Sequence, residues 1–199
     1  MKGALITIYG INNIGKSTHA KLLVEKLKRN GYDVTYLKYP IYDLEPTGPA
    51  INKILRSTTP QNVSEEELQT LFMQNRKDFE PKLRELLNQG KIVIAEDYTG
   101  TGIAWGTAKG LKQEWVEKIN EGLIREDFSV LMKGRRDTRV IEAHHIHENN
   151  NDLILKTGQI LDRLAEKNGW HVVQLRDKIS DTADVIWAEV KAFLDGRQK

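Results

Sequence analysis

The stretch Gly10-Ile11-Asn12-Asn13-Ile14-Gly15-Lys16-Ser17 decides the fold of this chain. It has the pattern G-x-x-x-x-G-K-[ST], in which glycines let backbone N–H groups turn around a polyphosphate and the following helix adds its positive dipole end. The pattern predicts that Lys16 reaches the β- and γ-phosphates of a nucleotide and that Ser17 binds magnesium. The residues expected to bind the phosphates are Gly10, Asn12, Asn13, Ile14, Gly15, Lys16, Ser17 and Thr18.

The sequence on either side of this loop supports the same interpretation. The run from Ala4 to Tyr9 is almost continuously apolar, as in a strand buried on both faces of a parallel sheet. After the loop, apolar residues follow at helical spacing, at Ala20, Leu23, Val24 and Leu27. Asn30-Gly31 then ends the predicted helix with a C-terminal glycine signal.

The composition is typical of a soluble globular protein. The 199 residues fit one domain, 1–199, and are enough to bury a full core. Because the chain has no cysteine, disulfides and thiolate metal sites are excluded, and no apolar run approaches membrane-spanning length. The N-terminus lacks a signal-peptide pattern, so we expect a cytoplasmic protein that does not bind a membrane. A net charge of +2 gives no argument for a nucleic-acid partner.

Strand and helix patterns alternate along the chain, which is typical of an α/β fold with helices on both faces of a parallel sheet. The sequence predicts five parallel strands, at 4–9, 33–38, 92–95, 129–132 and 170–175. It predicts helices at about 50–56, 112–124 and 152–168, a C-terminal helix capped near Asp181, and a Gly/Thr-rich turn at 99–110. Ser64 and Glu67 have the spacing of a capping box. They should begin a long helix that Pro81 kinks or splits.

Two carboxylates, Glu96 and Asp97, follow the third predicted strand. Ligands bind at the carboxyl ends of strands in such sheets. A carboxylate beside the phosphate-binding loop is therefore expected to bind magnesium or to orient the phosphate acceptor. Because neighbouring strand residues point to opposite faces, we expect only one of the two to face the phosphates squarely. The alternative is that both only cap the strand in solvent.

A basic cluster from Lys133 to Arg139 follows the fourth predicted strand. Two interpretations are open. Either the cluster is a solvated helix face, or its arginines lie on a lid, about 133–151, and neutralise a transferring phosphoryl group. The lid arginines would be Arg135, Arg136 and Arg139. The nearby histidines, His144, His145 and His147, are too loosely spaced to favour a metal site.

Together these features resemble the thymidylate kinase family, nucleoside monophosphate kinases of the P-loop NTPase fold. The resemblance rests on the phosphate-binding loop, Tyr39-Pro40, the segment from Leu71 to Arg76, and Glu96-Asp97-Tyr98. It extends over nearly the whole chain, and the loop and the Phe-x-x-x-Arg helix match in detail. It implies ATP as phosphoryl donor, Mg2+ as cofactor, nucleotide substrates, a short lid and a homodimer.

The resemblance also implies a pocket for the acceptor nucleotide. In the family, the aromatic corresponding to Phe72 stacks on thymine, and the arginine corresponding to Arg76 hydrogen-bonds the edge of the base. Chemistry supports these roles, because a flat ring offers a packing face, a guanidinium donates to a carbonyl, and residues four apart share a helix face. Lys38 and Arg56 are candidates for contacting the monophosphate. The other substrate-binding candidates are Tyr39, Pro40, Asp97, Thr101, Gly102 and Trp105.

The chain departs from the family pattern at three positions. When Thr101-Gly102 and Ala104-Trp105 are matched to the family's Ser-Gly and Ala-aromatic positions, Glu96 takes the place of an aspartate and Asp97 that of an arginine. Each lost charge contact is worth about 4 kcal/mol at about 4 Å and an effective dielectric near 20. We therefore expect Asp97 to turn away, to hold a second magnesium ion, or to be compensated by lid arginines. Asn12 replaces an acidic residue that contacts the sugar 3′-hydroxyl in the family.

These observations predict transfer of the γ-phosphoryl group of ATP to a deoxypyrimidine monophosphate, foremost dTMP. Lys16, Glu96 and the lid arginines would be catalytic, and Ser17 and Glu96 would bind magnesium. Two alternatives stay open. One is a deoxynucleoside kinase, since such families also favour a glutamate at the end of the third strand. The other is a nucleotide-binding protein that has lost catalysis because of Asp97.

Overall fold

The computed structural model describes residues 3–56, 63–135 and 151–197. Within these ranges, five strands form one sheet: β1 (Ala4–Tyr9), β2 (Val34–Lys38), β3 (Ile92–Glu96), β4 (Phe128–Lys133) and β5 (His171–Gln174). The order across the sheet is β2-β3-β1-β4-β5, and each neighbouring pair is parallel. The predicted α/β fold with a five-stranded parallel sheet is confirmed.

Helices cover both faces of the sheet. They are α1 (Lys16–Arg29), α2 (Thr47–Leu55), α3 (Glu65–Asn88), α4 (Thr99–Ala108), α5 (Gln113–Ile119), α6 (Asn151–Asn168) and α7 (Ile179–Gly196). Buried side chains of α1 and α7 form the core on one face, and those of α3, α4 and α6 form it on the other. In the described part of the chain, no helix is both long enough and apolar enough to cross a membrane.

Strand β1 lies at the centre of the sheet and all six of its side chains are buried. Its residues alternate between the two cores, since Ile6 and Ile8 pack with α1 and α7 while Leu5 and Tyr9 pack with the other helices. This alternation is the period of two that a strand imposes. The apolar run in the sequence therefore has its physical cause in a strand covered on both sides.

Helix α3 begins as the sequence predicts. The Ser64 hydroxyl accepts the Glu67 backbone N–H at 3.2 Å, and the Glu67 carboxylate accepts the Ser64 N–H at 2.7 Å, which completes the capping box. The predicted split at Pro81 is wrong, because the helix continues to Asn88. Leu83 and Leu86, beyond the proline, are buried in the core, and their packing stabilises the last turns of the helix.

Other boundaries differ from the prediction. Residues 99–108 form helix α4 instead of a turn, because packing against neighbouring helices outweighs the low helix propensity of its glycines. Helix α5 ends at Ile119 instead of at 124. The side chain of the next residue, Asn120, donates to the Val116 carbonyl at 2.8 Å. Helix α2 begins at Thr47 instead of 50, and α7 begins at Ile179, before the predicted cap at Asp181.

Candidate active site

The carboxyl ends of all five strands open into one cleft of about 730 Å3. This volume is in the range of pockets that hold small molecules. The loop after β1 lines the cleft, as do Lys38 at the end of β2, Glu96 at the end of β3, Arg135 after β4 and Leu175 after β5. The parallel topology therefore brings residues that are distant in sequence to one edge of the sheet.

The phosphate-binding loop forms one wall of the cleft, with Asn12 to Thr18 exposed to it. Within the loop, Asn13 and Gly15 have left-handed φ angles of 62° and 92°. Lys16 is 6% exposed, and its ammonium donates to the carbonyls of Gly10 at 2.9 Å and Ile11 at 3.1 Å. A phosphate would offer this ammonium a charged and therefore stronger acceptor.

Glu96 is the centre of a hydrogen-bond network beside the loop. Its Oε1 accepts the Ser17 hydroxyl at 2.7 Å and lies 3.1 Å from the Lys38 ammonium. Its Oε2 accepts the Tyr36 hydroxyl at 2.5 Å. Burial by itself disfavours the charged form, but the Lys38 ammonium and the Tyr36 hydrogen bond outweigh burial and lower the pKa of Glu96. The carboxylate is therefore ionised at neutral pH.

Asp97 also faces the phosphate-binding loop. Its Oδ1 lies 3.7 Å from the Lys16 ammonium and accepts the Thr101 hydroxyl at 2.7 Å. The prediction that only one carboxylate faces this side is wrong, because Asp97 has a φ of 60° and this left-handed backbone ends the strand alternation. Of the three alternatives for Asp97, turning away is excluded for the same reason, and the other two stay predictions. Burial raises the pKa of Asp97, and although Lys16 opposes this, neighbouring Glu96 adds to it.

Helices α3 and α4 form another wall of the cleft. Phe72 and Arg76 line it from α3, as their spacing predicts, and Thr101, Gly102 and Trp105 line it from α4. The Arg76 guanidinium is buried and donates to Asn120 Oδ1 through Nε at 3.1 Å and NH2 at 2.8 Å. Burial lowers the pKa of Arg76 to about 10, which leaves it charged at neutral pH.

The candidates for contacting the acceptor phosphate also line the cleft. Tyr39, Pro40 and Arg56 line the cleft with Lys38. The Arg56 guanidinium lies over the Tyr42 ring, 5.1 Å from its centroid. The Lys38 ammonium contacts both Glu96 and the Ser17 hydroxyl, the latter at 3.3 Å.

Some predicted residues lie at the margin of the cleft or outside the described residues. Gly10 contributes its carbonyl to Lys16, and Arg135 is an exposed residue of the cleft wall. Arg136 and Arg139 fall outside the described ranges, as do His144, His145 and His147 and most of the predicted lid.

Three residues at or beside the site were not predicted from the sequence. Tyr36 could have been found, because it lies two residues before Lys38 on β2 and so shares its face. Gln69 lies three residues before Phe72 on α3, which also places it on the same face. Asn120 carries no local signal, since only the tertiary fold brings it to Arg76.

The oxygen atoms beside the loop suit a magnesium ion. The described residues contain no group of three or more His, Cys, Asp or Glu side chains that could hold a metal alone. The Ser17 hydroxyl and the Glu96 and Asp97 carboxylates are the hard oxygen ligands that Mg2+ prefers. Phosphate oxygens and water usually fill the rest of the coordination sphere of this ion. The residues therefore fit a magnesium ion that binds together with a nucleotide.

A family model and individual relatives point to the same protein family. The thymidylate kinase family model matches residues 8–186. A probable thymidylate kinase of Thermococcus onnurineus (strain NA1) is 35% identical over 138 residues, which cover 64% of this chain and 64% of that protein. The thymidylate kinase of Plasmodium falciparum (isolate 3D7) is 34% identical over 127 residues, which cover 63% of this chain and 59% of that protein. The chain thus spans less than two thirds of the length of these relatives.

A solved structure gives the same fold. The structure of thymidylate kinase from Candida albicans superposes with a TM-score of 0.77 at 24% sequence identity. The superposition covers 96% of this chain and 92% of that one. The sheet and its flanking helices are therefore shared over nearly the whole chain.

Proposed function

Because the chain belongs to the thymidylate kinase family, we propose that it transfers the γ-phosphoryl group of ATP to dTMP, giving ADP and dTDP. The observation that carries this proposal is the continuity of the cleft. The phosphate-binding loop, Phe72 and Arg76 line the same cleft, as do Lys38 and the two carboxylates. This arrangement supports two nucleotides bound with their phosphates facing each other.

On the donor side, the backbone of the loop and the Lys16 ammonium hold the β- and γ-phosphates. Lys16 exchanges its two carbonyl acceptors for phosphate oxygens and neutralises charge that develops during transfer. The arginines Arg135, Arg136 and Arg139 contribute further positive charge and compensate for Asp97 at the family's arginine position. Catalysis here is mainly positioning and charge stabilisation, as expected for phosphoryl transfer.

On the acceptor side, Phe72 and Trp105 enclose the base, and Arg76 donates to its edge. Lys38 and Arg56 bind the monophosphate. Tyr39, Pro40, Thr101 and Gly102 shape the wall around it. Glu96 holds Lys38 and Ser17 in place, so the acceptor phosphate meets a fixed cation rather than a mobile one.

We propose Mg2+ as the cofactor, bound with the nucleotide by Ser17 and Glu96. When bound, it would neutralise negative charge on the phosphates during transfer. The ionised state of Glu96 favours this role, because the protein need not lose a proton before the ion binds.

We also propose that residues 1–199 form one domain with a lid at about 133–151, and that the protein is a cytoplasmic homodimer. The domain proposal is supported by the single sheet to which strands from both halves of the chain contribute. The dimer follows only from the family resemblance. Sedimentation velocity at micromolar concentration measures the assembly directly, and a monomer there would contradict it.

The proposed function is tested by measuring ADP release from ATP and magnesium with dTMP, dUMP, dCMP, dGMP and thymidine as acceptors. We expect dTMP to give the highest kcat/KM. Activity on thymidine but not on dTMP would instead identify a deoxynucleoside kinase. Nucleotide binding without turnover on any acceptor would identify a binding protein that has lost catalysis.

A further inference from the structure

Gln69 is a buried polar residue on the cleft wall that α3 and α4 form. The proposed mechanism gives this residue no role. It lies on α3 and is fully buried, yet it lines the cleft wall with Phe72 and Arg76. Its Oε1 has no hydrogen-bond partner among the residues that the structure describes. Such a buried acceptor costs free energy unless a ligand supplies the missing donor.

The orientation of the Gln69 amide is fixed by its neighbours. Its Nε2 donates to Glu65 Oε1 at 2.8 Å, and Glu65 Oε2 accepts the Lys109 ammonium at 2.7 Å. A carboxylate paired with a lysine can only accept hydrogen bonds. The amide nitrogen of Gln69 must therefore face Glu65, and the amide oxygen must face away from it.

Packing against α4 holds the Gln69 side chain in this position. A β-carbon at Gly106 would lie 3.1 Å from Gln69 Cγ, and one at Gly102 would lie 3.3 Å from Gln69 Oε1. The two glycines are one turn apart and make a groove for the side chain. The oxygen is thus held rigidly against α4, directly behind the wall of the pocket.

The Arg76 guanidinium lies beside this oxygen. The β-carbon position at Gly102, 3.3 Å from Gln69 Oε1, is also 3.2 Å from Arg76 Nη2 and 3.6 Å from Arg76 Nη1. Asn120 accepts from Nε and NH2 and thereby fixes the plane of the guanidinium. One rigid acceptor and one rigid cationic donor therefore stand side by side at the end of the base pocket.

We propose that Gln69 Oε1 and the Arg76 guanidinium together read the N3–H and O4 groups of the acceptor base, so the site selects thymine or uracil against cytosine. This inference rests on the proposed function and names its base-specificity residue. Thymine and uracil present the N3–H donor next to the O4 acceptor. The N3–H matches the acceptor Gln69 Oε1, and O4 matches the donor Arg76. Cytosine presents the reverse order, so its N3 lone pair would face Gln69 Oε1 and its amino group would face a cation.

The test compares dTMP with 5-methyl-dCMP, two acceptors that differ only in this edge of the base. In the wild type we expect a high ratio of kcat/KM for dTMP over that for 5-methyl-dCMP. Gln69→Leu removes the amide oxygen that would accept the N3–H of thymine. We expect it to lower this ratio by roughly 10- to 100-fold, because thymine loses a hydrogen-bond partner and cytosine loses a repulsive neighbour. The loss for dTMP should appear in KM rather than in kcat, since the base is remote from the reacting phosphates.

Two further variants make the result decisive. Gln74→Leu is the matched control, because Gln74 lies on the same helix but donates to Asp78 outside the cleft. It should leave the ratio unchanged. Glu65→Gln keeps Gln69 but allows its amide to turn over, so it should lower the ratio by a smaller factor. If Gln69→Leu fails to fold, Glu65→Gln decides.

The inference and the proposed function fail in different ways. If the wild type phosphorylates dTMP and the ratio is the same in folded Gln69→Leu and Glu65→Gln, the reading by Gln69 is overturned and the kinase assignment stands. A wild type that prefers 5-methyl-dCMP would also overturn it. If the wild type transfers phosphate to none of these acceptors, the proposed function itself falls.

Discussion

At the residue scale, two adjacent carboxylates have opposite electrostatic environments. The pKa of Glu96 is lowered, because Lys38 and Tyr36 outweigh its burial, whereas burial raises the pKa of Asp97. Lys16 contacts Asp97 at 3.7 Å but is also bound to two carbonyls. The charge of Asp97 is therefore less well compensated than that of Glu96, and the two should respond differently to substitution.

Lys16→Ala tests the proposal that the Lys16 ammonium neutralises the transferring phosphoryl group. We expect kcat to fall by about 100- to 1,000-fold, the usual cost of losing one preorganised donor. Steady-state kinetics with dTMP measure this directly. Lys21→Ala, at an exposed position of the same helix, is the control. A near-normal kcat for Lys16→Ala would contradict the loop assignment.

Asp97→Asn should stabilise the fold at neutral pH. The folded-state pKa of Asp97 is raised above its unfolded value, so its ionisation costs stability as the pH rises through the folded-state pKa. Asparagine lacks this cost, tolerates a positive φ, and keeps an acceptor for Thr101. We expect its Tm to exceed that of the wild type by a few degrees at pH 8.

The difference in Tm should disappear below the unfolded-state pKa of about 3.9, where the wild-type carboxyl is protonated in both states. Differential scanning calorimetry across this pH range measures it. Asp43→Asn, at an exposed position, controls for a general change in surface charge. An Asp97→Asn protein that is less stable than the wild type at pH 8 would show that the Lys16 contact dominates over burial.

At the element scale, helix α4 is placed by close contacts that its glycines allow. Gly100 lies against Trp170, whose ring stacks on Tyr9 at a centroid distance of 4.3 Å. The Gly100 N–H donates to the Tyr9 hydroxyl at 3.3 Å. The position of α4 matters for the site, because Thr101, Gly102 and Trp105 line the cleft from this helix.

The same substitution should have opposite effects at two helical glycines. A β-carbon at Gly100 would lie 2.5 Å from Trp170 Cη2, whereas one at Gly158 in α6 would lie 3.4 Å from Ile11 Cγ2. We expect Gly100→Ala to lower the free energy of unfolding by roughly 1–3 kcal/mol through overpacking. Gly158→Ala should raise it by about 0.5–1 kcal/mol through helix propensity. Urea denaturation measures both, and equal effects would show that α4 can move.

At the scale of the whole molecule, one cleft should hold donor and acceptor together. We expect a compound that joins adenosine and thymidine through five phosphates to raise the Tm more than ATP or dTMP alone, because it binds both ends of the cleft without a second ordering cost. Thermal unfolding at equal ligand concentrations measures this. Diadenosine pentaphosphate is the matched control for the phosphates. An equal shift with both compounds would show that the Phe72 end does not bind thymine.

Local patterns in the sequence predicted much of the fold. The apolar run of β1, the helical spacing after the loop and the capping box at Ser64 each depend on residues within a few positions of one another. Helix α4 was predicted as a turn, because its glycines disfavour a helix locally and only contacts with distant residues such as Trp170 make it stable. The pairing of Arg76 with Asn120 was missed for the same reason, since 44 positions separate them.

The sequence by itself determined the phosphate-binding loop, the five parallel strands and the family, because these follow from short-range spacing and from the period of each element. Only the tertiary structure decided how the carboxylates and the α3–α4 wall of the cleft are arranged. The left-handed backbone at Asp97 turns its carboxylate toward Lys16, and Gln69 packs against Gly102 and Gly106 of α4. Charge compensation and hydrogen-bond direction depend on distances between atoms that are remote in sequence, and folding alone sets those distances.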